Sequence, residues 1–164
     1  MELSINTIAR IIIVGVGATA IMDLWLILLK KLNIPTLNFA FLGRWVGHAV
    51  KGQWFHPAIS KTAPIQGELA LGWCTHYAIG ILFSILLILI TGTAWLYSPT
   101  LLPALLVGLI TVTAPLLVLQ PAMGAGLASR NTPTPLRNCL KSIINHLVFG
   151  GGLYMSAWLV NASH

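Results

Sequence analysis

Between Glu68 and Arg130 the chain carries no Asp, Glu, Lys or Arg. A span of lipid takes about 20 mostly apolar residues, because each helical residue rises about 1.5 Å across a hydrocarbon core of about 30 Å. The uncharged stretch is too long for one crossing. It divides at Gly92 to Pro99, where Trp95 and Tyr97 suit the membrane–water boundary. Spans are therefore expected at about 69–92 and 100–122. Arg10 and Lys30 bracket a further apolar run whose only charge is Asp23, giving a span at about 8–30, and a fourth falls at about 142–160. Backbone polar groups must be satisfied within the chain in lipid, so these segments are helices. The expectation is all-α: one membrane domain over 1–164, built as a four-helix transmembrane bundle.

Composition agrees. Charged residues are 7% and hydrophobic residues 57% of the 164, against roughly 25% charged in soluble domains. The net charge of +6 does not point to nucleic acid. Its Lys and Arg lie in loops beside apolar runs, where the phospholipid surface is the simpler partner. The first apolar run exceeds a signal peptide's hydrophobic region and has its positive charges after it, so it is read as a retained span. Cys74 and Cys139 form neither a CxxC nor a zinc spacing and read as small apolar residues.

The connection after the first span holds Lys30, Lys31, Arg44, Lys51 and Lys61, and the one before the fourth holds Arg130, Arg137 and Lys141. The two ends and the remaining loop hold only Arg10. The positive-inside rule then places both long connections in the cytoplasm and both termini on the other side. Residues 38–51 read as an amphipathic helix at the interface, with Phe39, Leu42, Val46 and Val50 on one side and Arg44, His48 and Lys51 on the other. Arg44 and Lys51 are its candidates for lipid headgroup contact. Trp54 and Phe55 continue the interfacial character.

Polar residues inside a span are costly. Asp23 lies seven residues before Lys30, His76 eight after Glu68, and Asn145 and His146 four and five after Lys141; Gln120 is near the inner end of the third span. At about 1.5 Å per residue all five sit roughly 5–12 Å inside the cytoplasmic boundary. Helical spacing aligns His76 with Gly72, Gly80 and Ser84, His146 with Ser142 and Gly150, and Asp23 with Thr19 and Gly15. Membrane helices pack closely along such small-residue stripes, so the polar groups should face the bundle interior. Pro115 removes a backbone donor and should disturb the third span near Gln120.

Several runs are similar to a bacterial membrane family known as domain of unknown function 2938. They are DLW at 23–25, LGRWVGH at 42–48, FHPAI at 55–59, LGWCTHYAIG at 71–80, LQPAMGAG at 119–126 and NHLVFGGGLY at 145–154. The resemblance covers nearly the whole chain. It implies a small, multi-pass protein of the bacterial inner membrane and supplies no catalytic residues.

Three functional readings follow. In the first, His76, His146 and Asp23, with His48 and His56 closing over them, hold a transition metal or, through His76 and His146, a haem; Gln120, Asn145 and Thr19 support them. In the second, the same groups bind or transport a small molecule or lipid, transport requiring a homo-oligomer at four spans. In the third, they only fasten helices within an accessory subunit that has a partner membrane protein. MGAGLAS at 123–129 lacks the strand and Lys of a phosphate-binding loop. His164 is terminal and is assigned no role.

Overall fold

A computed structural model describes residues 4–162, so His164 lies outside the described residues. Every regular element among them is helical. The long helices are α1 (Ile5–Lys31), α2 (Phe39–Ala49), α3 (Glu68–Thr91), α4 (Leu101–Ala122) and α5 (Pro135–Ala162). All but α2 are long and apolar enough to cross a membrane.

Local chemistry sets the ends. The Ser4 hydroxyl accepts from the Thr7 amide at 3.2 Å to open α1, while Lys30 and Lys31 sit in its last turn, where the helix dipole favours cations. The Asn38 side chain accepts from the Ala40 amide at 3.0 Å to open α2. Gly92, at φ +81°, ends α3. Pro135 opens α5 well before the expected 142, because a helix-initiating proline lets Arg137, Asn138 and Lys141 extend the helix beyond its apolar window. Pro115 acts as a widener: Ala114–Leu119 form a π-helical turn within α4.

The chain parts into two compact units. Among the described residues the first takes 4–34, 77–111 and 145–162, and the second takes 35–76 and 112–144.

In the first unit α1 is innermost, with Val14, Ala18 and Thr19 essentially buried. It runs antiparallel to α3. A Cβ at Gly15 would stand 2.7 Å from the Ile81 Cα, and the Ser84 hydroxyl donates to the Ile11 carbonyl at 3.0 Å. It also runs antiparallel to α5, where a Cβ at Gly152 would meet the Ala18 Cα at 3.0 Å. Helices α4 and α5 meet the same way: a Cβ at Gly108 would stand 2.9 Å from the Gly150 Cα. Leu87, Leu96, Val107, Phe149 and Leu153 fill the core. At one end the Arg10 guanidinium donates to Asn161 Oδ1 at 2.7 Å and lies 4.8 Å over the Tyr97 ring, while Asn161 donates to the Leu96 carbonyl at 2.9 Å. Trp95, expected at the boundary, is only 6% exposed and donates to the Thr100 carbonyl at 3.2 Å. The tight turn folds its ring into the core.

In the second unit α2 crosses the first turns of α3. A Cβ at Gly43 would overlap the Glu68 carbonyl, and one at Gly72 would overlap the Phe39 carbonyl. The Phe39 ring stacks 4.3 Å from Trp73 and 4.5 Å from His76. The expected apolar stripe of α2 is therefore divided: Phe39 and Leu42 are buried, whereas Val50 is 77% exposed. The chain after α2 pairs with the end of α4, the His56 amide donating to the Ala122 carbonyl at 2.8 Å and the Ile59 amide to the Met123 carbonyl at 3.0 Å.

A direct test of the α2–α3 crossing is Gly72→Ala. The added methyl has no free volume, and the nearest atom is backbone, so overpacking of about 1–3 kcal/mol is expected. It would be read as a lower thermal midpoint in detergent. An unchanged midpoint would mean that the crossing is looser than described.

Candidate functional site

The antiparallel registers of the first unit bring three polar pairs to one level, away from the Arg10–Asn161 end. The Tyr77 hydroxyl donates to Asp23 Oδ2 at 2.8 Å. The Trp25 indole N–H donates to Asn145 Oδ1 at 2.9 Å. His146 Nδ1 meets the Thr111 hydroxyl at 2.9 Å. Asp23 is 9% exposed, and Thr19, one turn away on α1, is fully buried with its hydroxyl donated to the Gly15 carbonyl at 2.8 Å.

The Thr111 hydroxyl also lies 2.7 Å from the Gly108 carbonyl. Which of the Thr111 hydroxyl and His146 Nδ1 donates to the other is set by the ring's tautomer. Phe83 lies 6.2 Å from the His146 ring. The level thus gathers a carboxylate, an imidazole, a phenol and an amide.

The remaining expected residues lie in the second unit. His76 stacks on Phe39. Gln120 accepts from the Ser129 hydroxyl at 2.9 Å and donates to Ser142 Oγ at 3.4 Å. His48 and His56 lie with ring centroids 5.3 Å apart, linked through Gln53: His48 Nδ1 is 2.9 Å from Gln53 Oε1, and His56 Nε2 is 3.2 Å from the Gln53 carbonyl. His48 Nε2 also donates to the Ala63 carbonyl at 2.9 Å, and His56 Nδ1 meets the Thr62 hydroxyl at 3.2 Å. Lys51 is exposed.

Arg44, expected at lipid headgroups, is engaged inside the protein. Its Nε and Nη2 donate to both oxygens of Glu68 at 2.8 Å. Nη1 reaches the carbonyls of Ile59 at 3.2 Å, Ser60 at 3.4 Å and Thr62 at 3.0 Å. The Glu68 hydrogen bond raises the guanidinium's pKa further above its usual range, with desolvation opposing. This fork ties α2, α3 and the loop between them together.

Among the described residues no three of His, Cys, Asp or Glu gather where they could hold a metal ion. On the α4 side of His146 the backbones touch: a Cβ at Gly108 would overlap the His146 carbonyl, and one at Gly150 would stand 2.7 Å from the Ala104 carbonyl.

Tyr77, Trp25, Thr111, Glu68 and Gln53 were not singled out from sequence. Tyr77 and Trp25 had a signal, since a buried phenol or indole needs a partner and each lies within two residues of a singled-out group.

Over residues 12–160 the chain matches the model of the family described as protein of unknown function (DUF2938). The chain belongs to that family. No curated protein and no solved structure matches it significantly. The DUF2938 match covers all three polar pairs and the Arg44–Glu68 clasp.

A double-mutant cycle of Asp23→Ala and Tyr77→Phe should give a coupling of about 0.6–2 kcal/mol, the range of interhelical hydrogen bonds in membranes. Strict additivity would show that the pair does not form. Arg44→Lys should lower the melting midpoint nearly as far as Arg44→Met, because a lysine cannot make the two-pronged contact; full rescue by lysine would show that charge alone suffices.

Proposed function

We propose that this DUF2938 protein is a membrane-embedded binding module for a small solute bearing a positive charge or hydrogen-bond donors. Asp23 is the primary acceptor, with Tyr77, Asn145 and His146 around it. One observation carries the reading. A nearly buried carboxylate sits on a helix already fastened to α3 by the close approach at Gly15, the packing of Thr19 on Gly80 and the Ser84 hydrogen bond to the Ile11 carbonyl. An Asp costs up to about 2.5–3.5 kcal/mol in a membrane helix. An interhelical hydrogen bond returns on average about 0.6 kcal/mol. Hydroxyls and glycines fasten helices at far lower cost, so fastening alone is a poor reason for this residue. A proton-donating or cationic solute is the natural complement of a carboxylate.

The same reading takes the Lys and Arg distribution as setting the topology, with both termini outside the cytoplasm in a bacterial inner membrane. Binding needs one copy; transport would need a second. The metal and haem readings have less support, since the described residues do not assemble a ligand set.

The test is a melting series in lipid nanodiscs with methylammonium, ethylammonium, guanidinium, Zn²⁺ and Fe²⁺. At least one organic cation should raise the wild-type midpoint, and Asp23→Asn should abolish that rise while melting at or above the wild-type temperature. A metal-specific rise, accompanied by metal in the purified protein, would return the site to cofactor chemistry. No response from any probe, with Asp23→Asn less stable, would leave helix fastening as the role.

Reporter fusions check the topology separately. A periplasm-active reporter should work at the C-terminus and fail in the 123–134 loop; the reverse pattern would invert it.

A further inference from the structure

The interfacial surface expected from sequence was helix α2 continued by Trp54 and Phe55; on α2 the stripe residues Phe39 and Leu42 are buried and Arg44 is clasped by Glu68. The apolar surface left uncovered in this unit lies just beyond the helix. Val50 is 77% exposed, Trp54 55% and Phe55 77%, and Lys51, Gly52 and Gln53 between them are exposed as well. Trp54, Phe55, Gly52, Gln53 and His56 line a shallow groove.

This tip is held rigidly from behind. Gly52, at φ +83°, lets the chain reverse, its amide donating to the Ala49 carbonyl at 2.9 Å. The Gln53 amide donates to the His48 carbonyl at 3.1 Å, and the Gln53 side chain and carbonyl meet His48 and His56. The Trp45 indole donates to the Trp54 carbonyl at 2.9 Å, its ring edge-on to Trp54 at 6.1 Å. The amides of residues 50–53 and the Trp54 carbonyl are thus spent on internal hydrogen bonds, while Val50, Lys51, Trp54 and Phe55 are exposed. The place is also constrained. Gly43 sits on the first turn of α3, and Ala49 lies six residues, about 9 Å of helix, farther along. The tip therefore stands within reach of the membrane surface at the end of a spanning helix.

We infer that the Val50–Phe55 tip inserts into the headgroup region of an anionic phospholipid leaflet. Trp54 and Phe55 enter the boundary between headgroups and acyl chains, and Lys51 pairs with lipid phosphate. Charge complementarity selects this occupant over a protein partner: the tip carries a cation and no acid, and the chain carries +6. The inference does not depend on the solute site.

The test is a nitroxide at Phe55→Cys, with Cys74 and Cys139 replaced by serine, in nanodiscs of phosphatidylcholine with phosphatidylglycerol. Collisions with dissolved oxygen should exceed those with a water-soluble nickel chelate. The label should become shallower in pure phosphatidylcholine or on adding Lys51→Glu. Because the triple replacement could disturb folding, Trp54→Phe in the otherwise native chain gives a second reading: brominated lipid should quench a smaller share of tryptophan emission than in wild type. Dominant nickel collisions would place the tip in water and overturn the inference. Low collisions with both reagents would place a second copy or another protein over the tip, and would overturn it equally.

Discussion

In lipid an apolar side chain gains nothing by leaving its solvent for a neighbouring helix, so van der Waals contact between backbones must hold a membrane bundle together. That constraint runs along α1. Gly15 accepts the backbone of α3, and Ala18 accepts Gly152 of α5. The close approach fixes the antiparallel registers, and the registers decide which polar side chains meet. Asp23 reaches Tyr77, and Trp25 reaches Asn145, because the glycine contacts one or two turns away leave no other alignment. The α2–α3 crossing at Gly43 and Gly72 plays the same part in the second unit, where it brings Arg44 onto Glu68.

The polar groups divide into two kinds. Gln120, Arg44, His48 and His56 form networks with neighbouring backbone and side chains in the second unit, which reads as architecture that gives the long connection a shape. The Asp23–Tyr77 pair belongs to a stretch of helix whose fastening is already complete without it. The proposed solute site rests on the disparity between the insertion cost of a carboxylate and the return from its hydrogen bond.

The legible part of the fold was the part set by lipid. Span number and approximate place follow from charge-free length, and the small-residue stripes marked where helices would meet. Ser84 and Gly80 do face α1, and Gly150 does face α4. Less legible was anything set by a turn or a cap. Pro135 starts α5 ahead of its apolar window, and the Gly92 turn buries Trp95. The amphipathic pattern of residues 38–51 correctly marked a helix. It misdirected the assignment of its faces, because periodicity cannot tell lipid from a neighbouring helix as the partner of Phe39 and Leu42.

The sequence by itself determined that this chain is helical, that four of its helices are long and apolar enough to cross a membrane, and that polar residues recur within them, since these depend only on length, hydropathy and spacing. Only the tertiary structure decided which of those residues are partners. Hydrogen bonds between helices depend on register, and register is set by close backbone approaches at glycines whose partners lie far away along the chain. Hence Tyr77 emerged as a partner of Asp23, Arg44 turned inward to Glu68, and Phe39 and Leu42 of α2 were buried while Trp54 and Phe55 stayed exposed.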